Sequence, residues 1–255
     1  MNETQTFYDG FADNYQFLFI DWQQTVERQG NILGEFFAKS GEAAPKTVLD
    51  CTCGIGTQAI ALATQGYKVH GTDLSSESIK QAKKNAAQFE TSGALTFDVA
   101  DLLQKPENPA KYDIVMAYDN PIAHFQTDEQ LLTAFQTMAA HTADRGLLTT
   151  SLRDYDALSE ERPRQSHIRV TDNKDGRTIM FQVWDWHEDG TGYQSEMFVI
   201  TQDGHNWTTN SYKTTFRAWK RDEVTRILQQ AGLYNIKWHM PEESGYYQQI
   251  VTARK

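Results

Sequence analysis

A short apolar strand that runs into a glycine loop and then a helix constrains this chain more than any other feature. Val48-Leu49-Asp50-Cys51-Thr52-Cys53-Gly54-Ile55-Gly56-Thr57 sets two glycines just past a buried strand. Glycine there permits tight backbone approach, and the helix that follows presents free N–H groups at its start. Strand and helix then alternate with short connections. Strands are expected at 47–50, 67–73, 94–98, 112–117 and 146–150, and helices at 57–65 and 76–90, the second with Ile79, Ala82, Ala86 and Phe89 along one side. Thr127 and Gln130 read as a capping box before a helix carrying Leu131, Phe135 and Met138. Alternation of this kind predicts an α/β doubly wound fold, a mostly parallel sheet with helices on both faces.

The flanks differ from this body. Residues 1–44 read as an N-terminal helical arm or lid, and 45–255 as the main domain with a β-hairpin insertion at about 160–215. In the arm, Val26, Gly30, Leu33 and Phe37 recur at helical spacing and give one packing face. Ahead of them Phe7, Tyr8, Phe11, Tyr15, Phe17, Phe19 and Trp22 form an aromatic cluster that suits either packing or a pocket lid. From 167 to 219 the pattern alternates in period two, with turn signals at Asp175-Gly176, Asp189-Gly190 and Asp203-Gly204, as in consecutive antiparallel hairpins. Its aromatics, Trp184, Trp186, Tyr193, Trp207 and Tyr212, suit the core of a small sheet, a wall of a pocket, or a contact in a homo-oligomer. A helix at 221–231, stopped by Gly232, and a closing strand at 247–253 complete the chain.

Charge and composition remove several classes of function. With 24 basic and 34 acidic residues the net charge is −10, which disfavours a nucleic-acid partner because phosphates need a surplus of Lys and Arg. No apolar run is long enough to span a membrane, and the start has neither a basic region nor an apolar stretch, so a cytoplasmic location without membrane contact is expected. Cys51 and Cys53, the two cysteines, are too close for a good mutual disulfide, and the seven histidines show no i, i+4 pair, so no metal site is expected.

Seventeen residues beyond Gly56 stands Asp73, at the end of the second strand, where an acid can accept both hydroxyls of an adenosine ribose. Gly54-x-Gly56-x-x-Ala59 also matches the nicotinamide fingerprint, but Asp50 discriminates. A carboxylate there repels a pyrophosphate and suits a cationic amino-acid tail. S-adenosylmethionine, with its ammonium, sulfonium and adenosine, satisfies Asp50, the glycine loop and Asp73 together. Leu49-Asp50-x-x-Cys53-Gly54-x-Gly56-Thr57, followed by Gly71-x-Asp73-Leu74-Ser75, resembles the class I S-adenosylmethionine-dependent methyltransferases. The resemblance implies a Rossmann-like seven-stranded sheet, Asp50 and the Gly54–Gly56 loop near the methionine tail, Asp73 and Leu74 at the ribose, and Asp101 and Leu102 beside the adenine. Cys53 matches a cysteine common in this motif and is read here as a small packing residue. Tyr118, at the end of the fourth strand, is a further cofactor contact, and S-adenosylhomocysteine is the implied product.

The methyl acceptor is expected beyond the fourth strand, in Tyr118-Asp119-Asn120-Pro121-Ile122-Ala123-His124-Phe125. Asn120-Pro121 opens like the Asn-Pro-Pro-aromatic motif of nucleic-acid amino-methyltransferases, but Ile122 and Ala123 replace the second proline and the stacking aromatic. The segment is more similar to that of glycine and sarcosine N-methyltransferases. That resemblance implies catalytic roles for Asn120 and His124, a carboxylate-binding Arg153 with Tyr155 in Arg153-Asp154-Tyr155-Asp156, and substrate contacts from Arg217 in Thr215-Phe216-Arg217. It also implies that Tyr8, Tyr15, Trp22 and Arg28 of the arm close over cofactor and substrate. His124 is equally suited to a structural hydrogen bond, and Arg153 to a pair with Asp154 or Asp156. The expected activity is N-methylation of a small carboxylate-bearing amine, with O- or C-methylation of another metabolite, or binding of the cofactor without catalysis, as alternatives.

Overall fold

The computed structural model describes residues 3–44, 46–173 and 176–255. Seven strands form the main sheet: β1 (Thr47–Asp50), β2 (Lys68–Asp73), β3 (Leu95–Val99), β4 (Tyr112–Ala117), β5 (Thr142–Leu152), β10 (Tyr234–His239) and β11 (Gln249–Arg254). Their order is β10-β11-β5-β4-β1-β2-β3. The five strands from β5 to β3 are parallel, while β11 runs antiparallel to both β5 and β10. Chain order reverses at β1, between β2 and β4, and in such sheets ligands bind outside the strand carboxyl ends at that switch point.

Helices α3 (Thr57–Thr64), α4 (Ser76–Ala86), α5 (Asp128–His141) and α7 (Arg221–Gln230) cover the sheet. Two apolar clusters result, one holding Val48, Ile60, Leu62 and Met116, the other Val115, Phe135, Trp219 and Leu228. Helix α2 (Trp22–Lys39) starts at Asp21, whose side chain accepts from the Gln24 N–H at 2.9 Å, and buries Val26, Leu33 and Phe37 in the first cluster. Gly30 brings α2 against α3: a Cβ there would lie 2.8 Å from the Ala61 carbonyl oxygen.

The strands β6 (Arg169–Asn173), β7 (Gly176–Trp186), β8 (Gly192–Asp203) and β9 (Asn206–Arg217) form a second, antiparallel sheet in sequence order, between α6 (Tyr155–Glu161) and α7. Of the expected turn at Asp175-Gly176, Asp175 lies outside the described residues, as does Pro45 at the expected start of the body. Helix α1 (Glu3–Phe11) docks on this sheet, with Phe7 and Phe11 against Met180, Met197 and Val199, and a 3-10 stretch, Ala12–Leu18, leads back to α2.

Local details depart from the sequence reading. Helix α4 stops at Ala86 instead of residue 90, because the N–H groups of Gln88 and Phe89 turn to carbonyls three residues back. Thr127 caps α5 by accepting from the Gln130 N–H, but the Gln130 side chain accepts from Gln126 and not from Thr127. The short α8 (Pro241–Ser244) precedes β11. No helix among the described residues is long and apolar enough to cross a membrane.

Candidate functional site

The carboxyl ends of β1, β2 and β4 meet at the glycine loop. Gly54 and Gly56 both take positive φ, 53° and 92°, and Gly56 is the N-cap of α3, so the loop turns at two positions that favour glycine. Asp73 holds it from the end of β2: one carboxylate oxygen accepts from Gly54 N–H and the other from Ser75 N–H, both at 2.9 Å. Burial outweighs these bonds and raises the Asp73 carboxyl to about 6. Asp50, 1% exposed, accepts only a long bond from Thr52 N–H on Oδ1, and its Oδ2 has no partner among the described residues. Burial raises its carboxyl to about 8, with smaller upward pushes from Asp73 and Asp119. A buried carboxylate oxygen without a donor is costly, and a cationic ligand at the loop removes that cost.

Two cavities open here. One, of about 260 Å³, is lined by Gly54, Asp73, Leu74, Asp101, Leu102 and Tyr118. The other, of about 400 Å³, lies toward the antiparallel sheet and includes Arg28, Asn120, Arg153, Arg169 and Phe216 in its walls. Tyr8, Tyr15 and Asp119 line both and so stand at the junction. Asp119 and Asn120 each have φ of 70°, two consecutive left-handed residues of the types that best tolerate it, and their N–H groups are fixed by Ser151 of β5.

Residues 48–146, which carry the loop, Asp73, Asp101 and the β4 edge, match the family described as "Methyltransferase domain". This segment is similar to a methyltransferase domain. Ajmaline N-methyltransferase of Rauvolfia serpentina is 29% identical over 149 residues, 58% of this chain and 50% of that protein. Magnesium-protoporphyrin O-methyltransferase of Synechocystis sp. is 32% identical over 130 residues, 51% of this chain and 52% of that protein. The chain thus spans about half the length of these relatives. An S-adenosylmethionine-dependent methyltransferase from Clostridium acetobutylicum shares the fold at a TM-score of 0.73 and 16% identity, covering 97% of both chains. An amino pentose methyltransferase from Micromonospora echinaspora does so at 0.71 and 15%, covering 96% of this chain and 97% of that one. The fold is that of the class I methyltransferases, arm and second sheet included.

Within and around residues 48–146, most of the expected residues converge. Tyr15, Gly54, Asp73, Leu74, Asp101, Leu102, Tyr118 and His124 line the smaller cavity, and Arg28, Asn120 and Arg153 the larger. Asp50 and Gly56 lie in the loop behind. Cys53 is buried against Gly71, and burial pushes its thiol well up, so it packs and does not react. Three residues are elsewhere. The Trp22 indole donates to Thr57 Oγ1 at 2.9 Å and packs on Phe89, which anchors α2 to α3. Arg217 pairs with Glu223 at 3.2 Å and lies over Trp219, and it lines neither cavity. Tyr155 is fully buried: its hydroxyl accepts from Asn120 Nδ2 at 2.8 Å and supports the β4 edge from beneath. Among the described residues, no group of three His, Cys, Asp or Glu is placed to hold a metal.

The charged groups have defined surroundings. Arg153 Nη1 donates to the Tyr193 hydroxyl at 2.6 Å, and its guanidinium lies 5.0 Å from the Trp184 ring centre and 5.6 Å from that of Phe216. Asp154 and Asp156 pair instead with Arg221, at 4.0 and 3.0 Å, so Arg153 has no carboxylate partner among the described residues. His124 sits between the Tyr8 hydroxyl, 2.9 Å from Nε2, and Thr214 Oγ1, 3.3 Å from Nδ1. Burial, and then the Arg153 charge, lower it to about 3. It is therefore neutral at physiological pH and a weak base. Asp119, which the sequence reading passed over, accepts from the hydroxyls of Tyr246 and Tyr247 and from Gln58 Nε2.

Proposed function

We propose that this chain transfers a methyl group from S-adenosylmethionine to the nitrogen of a small amine that also carries an anionic group. The observation that carries the reading is the pair of adjoining cavities: one shaped by the glycine loop with Asp73 and Asp101, the other offering a cationic Arg153 with no carboxylate partner among the described residues. In the first, Asp73 and Gly54 would hold the ribose side of the cofactor and Asp101 and Leu102 the adenine, with its ammonium toward the loop that Asp50 backs, where Oδ2 has no partner among the described residues. When bound, that cofactor supplies a methyl group on a sulfonium, an electrophile that needs chiefly an aligned lone pair.

The second cavity supports an anionic acceptor. Tyr193 and the Trp184 and Phe216 rings fix the guanidinium of Arg153, whose remaining N–H groups can grip a carboxylate in parallel. Arg28 and Arg169 add positive charge to the same walls. A volume of about 400 Å³ exceeds what glycine or sarcosine fills, so the cavity also has room for larger carboxylate-bearing amines. Nitrogen is favoured over oxygen because a hydroxyl acceptor needs a base. His124, lowered to about 3 and engaged by Tyr8, is a poor one. The relatives include both an N-methyltransferase and an O-methyltransferase, so the preference for nitrogen rests on the absence of a strong base at His124.

The test is incubation with S-adenosylmethionine and a library of amino acids and aminosugar acids, read by mass spectrometry for S-adenosylhomocysteine and methylated product. Turnover with carboxylate-bearing amines that is lost in Asp73→Ala supports the proposal. Cofactor binding without turnover would make the chain a binder only, and turnover with alcohols alone would assign O-methylation.

A further inference from the structure

Asp119 is a carboxylate with no ion-pair partner among the described residues. Its Oδ1 accepts from the Tyr246 hydroxyl and from the Tyr247 hydroxyl at 2.5 Å, and its Oδ2 accepts from Gln58 Nε2 at 2.7 Å. All three donors are neutral, and no Lys, Arg or His lies within ion-pair distance among the described residues. The backbone beneath it is left-handed, at φ 70°, and fixed through Ser151. Two strained residues, two phenols and an amide thus hold one carboxylate at the junction of the two cavities. Three donated hydrogen bonds leave room for about one more on a carboxylate.

From this placement we infer that Asp119 is the counter-charge to the ammonium that forms on the acceptor nitrogen, and hence a catalytic residue. The inference rests on the methyl-transfer reading above. As the neutral amine takes the methyl group, its lone pair becomes the new N–C bond and the C–S pair stays with sulfur. The acceptor gives up its own ammonium proton to water before it reacts as the free amine. The positive charge then passes from sulfur to nitrogen, and the product leaves as the ammonium. A fixed carboxylate beside the nitrogen stabilises that charge as it develops, in an arrangement that needs no reorganisation. The methyl-transfer reading gives the cofactor's own ammonium to the glycine-loop end, where Asp50 Oδ2 has no partner among the described residues, which leaves Asp119 for the acceptor. Arg153 and Asp119, opposite charges on the walls of one cavity, then hold the acceptor's carboxylate at one end and the nitrogen that becomes cationic at the other.

The experiment uses two probes that cannot react with S-adenosylhomocysteine present. N,N-dimethylglycine bears an ammonium, and 3-methylbutanoate is its uncharged carbon isostere with the same carboxylate. Calorimetry on the full chain saturated with S-adenosylhomocysteine should show the ammonium probe bound at least tenfold more tightly. In Asp119→Asn, which suits the left-handed backbone, the two probes should bind within about threefold, with affinity for S-adenosylhomocysteine unchanged. Tyr247→Phe, which removes one donor at an exposed position, should lose part of the preference and serves if the Asn variant does not fold. A preference that survives Asp119→Asn overturns the inference, as does failure of both probes to bind the loaded wild type. Loss of S-adenosylhomocysteine affinity in Asp119→Asn would instead make Asp119 the cofactor's partner. If the wild type binds no S-adenosylhomocysteine at all, the methyl-transfer reading itself fails.

Discussion

Arg153 is gripped from one side. Tyr193 takes one N–H, two aromatic rings fix the plane, and Asp154 and Asp156 are committed to Arg221. A lysine would keep the charge but lose the planar fork and the stacking. Arg153→Lys should therefore preserve cofactor affinity and fold, and raise KM for a carboxylate-bearing amine at least tenfold. The matching amide should suffer far less. Steady-state kinetics on the acid–amide pair decide it: equal losses, or a fall in Tm that accounts for the lost activity, would remove the clamp. Residues of the glycine loop, Asp73 and Asp101 were legible in the sequence because strand ends, spacing and turn chemistry put them on one edge. Arg217 was not, because its fate depends on Glu223 six residues on, which the local pattern does not weigh. Asp119 was hidden for a related reason: its donors come from positions 58, 246 and 247, and only the folded sheet brings them together.

At the scale of elements, the arm divides into an anchor and a cover. Helix α2 is tied into the core by Val26, Leu33, Phe37 and the Trp22–Thr57 bond. Helix α1 reaches across both cavities: Tyr8 meets His124, Asp9 accepts from the Ser75 hydroxyl at 2.6 Å, and Glu3 accepts from Thr215 at 3.0 Å. In this conformation α1 and the 3-10 stretch after it roof the site, and ligand exchange requires them to lift. Hydrogen exchange should slow in Glu3–Leu18 when S-adenosylhomocysteine binds and stay unchanged in Trp22–Lys39. Equal protection of both helices with and without ligand would make α1 part of the core. The sequence showed both sides of this division, since the aromatic cluster suited packing and lid alike: Phe7 and Phe11 pack, while Tyr8 and Tyr15 face the cavities. It did not single out β10, an edge strand whose residues are exposed or half-buried and so lack a clear apolar run. The paired hairpins of the second sheet were legible because period two and Asp-Gly turns agree.

For the molecule as a whole, the vacant side of Asp50 links stability to pH and to ligand. Its carboxyl stands at about 8 when folded, against roughly 3.9 in an unfolded chain, so the folded state holds an extra proton between those values. Stability of the ligand-free protein therefore falls as pH rises through that window, by at most about 1.4 kcal/mol per pH unit. Below about 6.5 the effect is obscured. Asp73, at about 6, acts in the same sense, but His124, lowered to about 3, acts oppositely, because the unfolded chain binds the proton that the folded one refuses. Above about 8.5 the buried thiols of Cys51 and Cys53 enter, since only unfolding lets them ionise. Between pH 6.5 and 8 Asp50 is left to dominate. Tm of the ligand-free protein should fall across this interval, and Asp50→Asn should flatten the curve while weakening cofactor affinity. Saturating S-adenosylhomocysteine should also flatten it, because a bound ammonium holds Asp50 ionised; binding near pH 7 must then release a proton, measurable by calorimetry in buffers of different ionisation enthalpy. Parallel Tm curves for wild type and Asp50→Asn, with no proton released on binding, would separate Asp50 from the ligand and leave its bare oxygen a purely structural cost.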